Sequence, residues 1–98
     1  MIICEIGLNH LGSEKNANNY LRLISKSNVD AFSFQIREKK YYMQRNKAKF
    51  LLDMSFYKKI IKDSKKMKKK VGISIADKET FLKFKDLNFD FIKILSWG

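Results

Sequence analysis

Short apolar runs alternate with stretches of helical spacing along the chain, and this alternation predicts parallel strands joined by helices. The segment MIICEIG, residues 1–7, predicts a first strand, and DAFSFQI, residues 30–36, predicts a second. A helix is predicted between them, after Gly12 and Ser13. Its apolar residues recur on one helical face, at Ala17, Tyr20, Leu21 and Ile24.

A longer connection follows the second predicted strand, and we expect it to carry a short helix within residues 47–52. Ser55 is then expected to cap a helix over residues 55–67. That helix has lysines on one side and apolar residues on the other, at Phe56, Ile60 and Met67.

The last third of the chain repeats the alternation, with a third strand predicted at residues 71–75 and a fourth at residues 89–96. Asp77 is expected to cap the helix between them, whose apolar positions are Phe81, Phe84 and Leu87. The pattern therefore predicts one α/β domain over residues 1–98, built from four parallel-strand βα units. It leaves the strand order open, and a flavodoxin-like sheet remains an alternative.

Each predicted strand contains at least one polar residue, and Ser33 and Gln35 occupy alternate positions in the second strand. Side chains alternate between the two faces of a strand, so the polar positions of all four strands fall on one face. They are Glu5, Ser33, Gln35, Ser74 and Lys93. They lie toward the carboxyl ends of the strands, where α/β proteins place their sites.

A purely structural interpretation of these residues stays open. Glu5 could pair with Lys93 and do nothing else, and Ser33 and Ser74 could be polar filler. His10 is the only histidine and stands just after a strand, so we interpret it as a loop residue, because a metal site needs more than one protein ligand.

Composition narrows the class of protein. Apolar residues make up 45% of the 98 residues, as in a single globular domain. The net charge of +11 allows a nucleic-acid-binding interpretation through the lysine-rich helix from Lys58 to Lys70, but 18 of the 21 cations are Lys and only three are Arg. We therefore interpret the cluster KKMKKK as the solvated end of that helix.

The cellular compartment is inferred from the single cysteine and from the lack of an export signal or membrane span in the sequence. Cys4 has no internal disulfide partner and has apolar neighbours, which is typical of a small buried residue in a reducing compartment. The sequence has no export signal at its start and no run of 18 apolar residues. We expect a cytoplasmic protein that does not span a membrane.

Four segments resemble the sialic acid (N-acetylneuraminate) synthase family, in the same order and at compatible distances. CEIGLNHLGS resembles the family's A-E-I-G-x-N-H-x-G, and DAFSFQI resembles D-A-V-K-F-Q-T. GISIAD is similar to F-S-T-P-F-D, and IKILSWG to F-K-I-x-S-G-E. The resemblance covers nearly the whole chain, and its first motif is the most specific.

The resemblance implies about half of a (β/α)8 TIM-type barrel and an enzyme that condenses phosphoenolpyruvate with N-acetylmannosamine or a related N-acyl sugar. Glu5 resembles the catalytic carboxylate of the first strand. The implied substrate-binding residues are Gln35, Ser74, Lys93 and Ser96, with Asn9 and His10 shaping the substrate-facing loop after the first strand.

The resemblance also implies a divalent metal, Mn or Mg, for the complete enzyme, with histidine ligands that lie beyond this chain. Three positions depart from the family: Ser33 stands where it has lysine, Ile75 where it has proline, and Trp97-Gly98 where it has Gly-Glu. Because a full barrel needs about 200 residues or more, we expect a homodimer or a complementing barrel half as partner. The alternatives are a noncatalytic remnant that serves in assembly and a basic nucleic-acid-binding domain.

Overall fold

The computed structural model describes residues 1–8, 10–45, 47–48 and 51–95, with Lys39 described by its backbone alone. In these residues, four strands and four α-helices follow one another. They are β1 (Ile3–Gly7), α1 (Glu14–Ser25), β2 (Ala31–Ile36), α2 (Lys39–Tyr42), α3 (Met54–Met67), β3 (Lys70–Ile75), α4 (Lys78–Phe84) and β4 (Phe91–Ile94).

The strands form one parallel sheet in the sequential order β1-β2-β3-β4. This answers the question that the sequence left open, because a flavodoxin-like sheet places its strands in a different order. The protein is thus an α/β fold with a four-stranded parallel sheet and alternating strands and helices.

The hydrophobic core lies between one face of the sheet and the helices. Phe32, Phe34 and Ile36 of β2 point into it, as do Val71, Ile73 and Ile75 of β3. Helices α1, α3 and α4 contribute buried residues to the same cluster, including Leu21, Ile60 and Phe84. The helices therefore cover one face of the sheet and leave the other to the polar residues.

Two helix starts were predicted correctly and one was not. The Asp77 carboxylate accepts a hydrogen bond from Thr80 N at 3.2 Å and caps α4, and Ser13 Oγ accepts from Asn16 N at 3.1 Å at the start of α1. The cap of α3 is Asp53 rather than Ser55, because the helix begins one residue before that serine, at Met54.

A short helix after β2 lies at Lys39–Tyr42. In the segment 47–52, where a short helix was predicted, Ala48 has 3₁₀ geometry and Leu51 N donates to Ala48 O at 3.2 Å, while residues 49 and 50 lie outside the described residues. Two tyrosines anchor the Lys39–Tyr42 helix. The Tyr42 hydroxyl accepts a hydrogen bond from Arg37 N at 2.9 Å, and the Arg37 guanidinium stacks over the Tyr41 ring at 4.2 Å. These contacts hold the segment against the end of β2.

Two aspartates join neighbouring strands at the amino ends in the same way. Asp30 N donates to Ile2 O at 2.8 Å while Ile2 N donates to Asp30 Oδ2 at 2.7 Å. Asp90 and Val71 form the equivalent pair, with both distances 2.8 Å. Asp30 thus fixes where β1 begins relative to β2, and Asp90 fixes where β3 begins relative to β4.

Replacing Asp90 by alanine is expected to lower the free energy of unfolding by about 1 to 2 kcal/mol, because Val71 N loses a charged acceptor. Urea unfolding followed by circular dichroism measures the change. Asp86→Ala, at an exposed aspartate with no hydrogen bond in the described part of the chain, is the matched control and should change it by less than about 0.5 kcal/mol. Equal losses in the two variants would contradict the proposed role of Asp90.

Candidate functional site

The strand register brings the predicted polar residues together on the face opposite the helices. Glu5 of β1 is the partner of Ser33 in β2, and Gln35 of β2 is the partner of Ser74 in β3. Ser74 is in turn the partner of Lys93 in β4. Every strand therefore contributes to one polar face, which we define as Glu5, Ser33, Gln35, Ser74 and Lys93.

An ion pair crosses this face from one edge of the sheet to the other. Lys93 Nζ lies 3.4 Å from Glu5 Oε1, although two strands separate β4 from β1. In a flat sheet the two outer strands would be about 14 Å apart, and Lys93 lies two residues further along than the row that contains Glu5. The side chains meet because the sheet curves toward the polar face.

The Glu5–Lys93 ion pair contributes little to folding stability and mainly places two charges on the polar face. The Glu5 and Lys93 side chains are 65% and 59% exposed, and an exposed ion pair contributes about 0 to 1 kcal/mol. The ion pair between Glu5 and Lys93 that the structural interpretation suggested is therefore present. Both groups nevertheless remain open to solvent and to a ligand.

A glycine and an aromatic ring, which sequence reasoning did not select, form the floor of the polar face. The Phe91 ring lies over Gly72, in the space that a side chain at this position would occupy. Ser33 beside them is buried, whereas Gln35 and Ser74 are half-buried. A glycine inside a strand was the available signal, since it often marks a close approach by another group.

The chemistry available on this face is that of anion recognition with one carboxylate nearby. An ammonium, an amide and a hydroxyl come from three adjacent strands at Lys93, Gln35 and Ser74. These groups can neutralise and hydrogen-bond phosphate or carboxylate oxygens. The Glu5 carboxylate, which contacts Lys93, can take part in a proton transfer or hold a hydroxyl beside these groups.

His10 lies apart from the polar face. Its side chain is fully buried, and its ring packs against Phe34 on the helix side, with a centroid distance of 5.9 Å. Gly12 N donates to His10 Nδ1 at 2.9 Å, so Nε2 carries the proton of the neutral ring. His10 therefore shapes the loop after β1 from within and is not placed to contact a substrate.

The turn geometry explains why His10 points inward. Leu11 and Gly12 both adopt positive φ, 57° and 77°, and so reverse the chain directly after the histidine. His10 O then accepts hydrogen bonds from Ser13 N at 3.0 Å and from Asn16 Nδ2 at 3.3 Å, which ties the loop to the start of α1. Asn9 and Ser96, the remaining predicted site residues, lie outside the described residues.

Burial lowers the pKa of His10 below 6.5, and this makes stability depend on pH. The unfolded chain then binds the proton more readily than the folded one. The contribution of His10 to the free energy of unfolding is therefore constant above about pH 6.5 and falls below it, by up to about 1.4 kcal/mol per pH unit, until the folded-state pKa is reached. Urea titrations across this range should show the decrease in the wild type. The His10→Gln variant should lack the His10 contribution, and an identical pH dependence in both proteins would contradict this account.

Residues 1–8, 10–45, 47–48 and 51–95 contain no group of three His, Cys, Asp or Glu side chains that could hold a metal ion. Nor can His10 start such a group, since one ring nitrogen accepts from Gly12 and the other is buried. The resemblance places the histidine ligands of the divalent metal beyond this chain, so the described residues alone would not hold it. Within the same residues, no helix is long and apolar enough to cross a membrane.

Comparison with known proteins found no matching protein family, no matching curated protein and no matching solved structure.

Proposed function

We propose that this chain forms part of a sialic acid synthase-like enzyme, which condenses phosphoenolpyruvate with N-acetylmannosamine or a related N-acyl sugar and releases phosphate. The observation that carries the proposal is the polar face, to which all four strands contribute at residues matching the family motifs. Four motifs in the family's order add to it.

Four of the five residues of the polar face, all except Ser33, have a role in this proposal. Lys93 neutralises the phosphate or carboxylate of phosphoenolpyruvate, and the Ser74 hydroxyl donates a hydrogen bond to the same group. Ser96 is proposed to assist Lys93, and the Gln35 amide, beside Ser74, is proposed to contact the substrate from β2. Glu5 orients the sugar or transfers a proton near the reacting centre. Because Glu5 is paired with Lys93 in the free protein, an anion that binds Lys93 also frees the carboxylate for this task.

We further propose that the fold is half of a TIM-type barrel. Sequential parallel strands, helices on one face and curvature toward the other are the features of such a barrel. The described strands number four, against eight in a barrel, so a complete site needs four more, from a second copy of this chain, from further polypeptide or from a separate half. No step is assigned to a metal here, because the histidine ligands that the resemblance implies lie beyond this chain.

The experiment is an assay of phosphate release by this chain mixed with a separately expressed carboxy-terminal barrel half of a sialic acid synthase. We expect release only when phosphoenolpyruvate, N-acetylmannosamine and Mn²⁺ are all present, and we expect Glu5→Gln to reduce it at least about 100-fold, the lower range for loss of a catalytic acid or base. The Glu14→Gln variant, at an exposed glutamate of α1, is the matched control. If the mixture releases no phosphate and this chain does not bind phosphoenolpyruvate, the catalytic proposal fails.

A noncatalytic assembly module is the second candidate, favoured by the sheet edges. Among the described strands, β1 and β4 each have a neighbour on one side alone, and Ile3 and Ile94 on these strands are exposed. Open strand edges of this kind pair with other chains. This candidate predicts self-association in analytical ultracentrifugation without any response to phosphoenolpyruvate, whereas a monomer that binds phosphoenolpyruvate would exclude it.

A further inference from the structure

A second concave site lies on the helix side of the sheet, where β2 ends and α4 begins. Its volume is about 330 Å³, and its walls include Ile36, Tyr42, Thr80 and Phe84. It shares no residue with the polar face, which lies on the opposite side of the sheet. This cavity falls within the size range of small-molecule sites.

Two hydroxyls in the cavity wall have unused hydrogen-bonding capacity. Thr80 and Tyr42 are each only 8% exposed. The Tyr42 hydroxyl accepts from Arg37 N, which leaves its own proton without an acceptor in the described part of the chain, and the Thr80 hydroxyl has no hydrogen bond there. The Thr80 oxygen is not among the fully enclosed polar atoms that lack a partner, so it is open to the cavity, where one acceptor could bond both hydroxyls.

A lysine at the cavity wall is the group that an anion there would meet. Arg37 and Lys83 line the cavity together with a single acid, Glu79. The Arg37 guanidinium is held in place by stacking on Tyr41 and by bonds to Glu38 from Nε at 3.3 Å and Nη2 at 3.2 Å. Lys83 has no ion pair among the described residues. Because Glu38 pairs with Arg37, Lys83 is the cation left for a bound anion, and its ammonium lies 5.8 Å from the centre of the Phe84 ring.

We propose that this cavity binds a small carboxylate with an apolar body. The carboxylate would accept from Thr80 and Tyr42 near Lys83, and the body would contact Ile36 and Phe84. An apolar cavity of about 150 Å³ holds benzene, so this one has room for a phenyl ring and a short chain. Met43 and Leu51, which also line it, are 73% and 43% exposed, and a bound apolar body would cover them.

The test is a titration of the whole chain with 4-phenylbutyrate, followed by heteronuclear NMR. We expect saturable shifts at millimolar or lower concentrations, confined to residues around Tyr42 and Thr80. Thr80→Val, which keeps the side-chain shape, should weaken binding at least about five-fold, and the neutral analogue 4-phenylbutan-1-ol should bind the wild type at least about five-fold more weakly. Ser55→Ala, a hydroxyl deletion on exposed α3 surface, should leave the affinity unchanged.

A second variant keeps the test decisive if Thr80→Val fails to fold. Lys83→Gln, at an exposed position, should weaken 4-phenylbutyrate binding without changing the affinity for the alcohol. Absence of saturable shifts would overturn the proposal. So would shifts at other residues, or equal affinities of the wild type and Lys83→Gln for the carboxylate.

Discussion

Replacing Phe34 by alanine is expected to lower the free energy of unfolding by about 3 to 5 kcal/mol, the range for truncating a buried aromatic residue. Phe34 is fully buried at the centre of the core, and its ring lies against those of His10, Phe32 and Tyr57 at centroid distances of 5.9 to 6.2 Å. A domain of this size has a total stability of about 5 to 15 kcal/mol, so the variant is expected to lose much of its stability. Urea unfolding followed by circular dichroism gives the value.

Leu23→Ala is the matched control for this prediction. Leu23 lies on α1 and is 68% exposed, so its truncation removes little buried surface. It should change the free energy of unfolding by less than about 0.5 kcal/mol. A loss below about 1 kcal/mol for Phe34→Ala would contradict the position of Phe34 at the centre of the core.

The second large effect is expected at the polar face, where Lys93→Met should weaken phosphoenolpyruvate binding roughly 10- to 100-fold. A hydrogen bond to a charged group contributes about 1.5 to 3 kcal/mol, and each 1.4 kcal/mol corresponds to a factor of ten. Folding stability should change little, because the pair with Glu5 is exposed. Isothermal titration calorimetry of the two proteins measures the ratio of dissociation constants.

Lys62→Met separates this effect from general attraction by a basic protein. Lys62 is an exposed lysine of α3, away from the polar face, and its loss changes the net charge by the same amount. It should reduce the affinity less than about two-fold. Equal weakening by both variants would indicate nonspecific binding of an anion to a chain of net charge +11, and would favour the polyanion-binding interpretation instead.

The sequence predicted those features that depend on local periodicity. Strand residues alternate with a period of two, so Phe32 and Phe34 could be assigned to the core and Ser33 and Gln35 to the other face before the register was known. The Asp77 cap depends on one side chain and a backbone N–H three residues away, and it was predicted for the same reason.

Other features depend on contacts between distant residues and were not predicted. Strand order depends on how the helices pack, and the pattern of a single strand does not contain it. Lys93 and Glu5 are 88 positions apart, so the sequence could suggest their pairing as one option but could not establish it. The inward turn of His10 follows from the positive φ of Leu11, which the residue type does not suggest. The cavity beside Thr80 forms only when α2 and α4 come together at the end of β2.

The most direct test of the account is a heteronuclear NMR titration of the wild-type chain with phosphoenolpyruvate. We expect saturable shifts at Gln35, Ser74 and Lys93, at the carboxyl ends of three adjacent strands, and at Glu5 across the sheet. Absence of binding, or shifts spread over the lysines of α3, would contradict the proposal that the polar face is a phosphoenolpyruvate site.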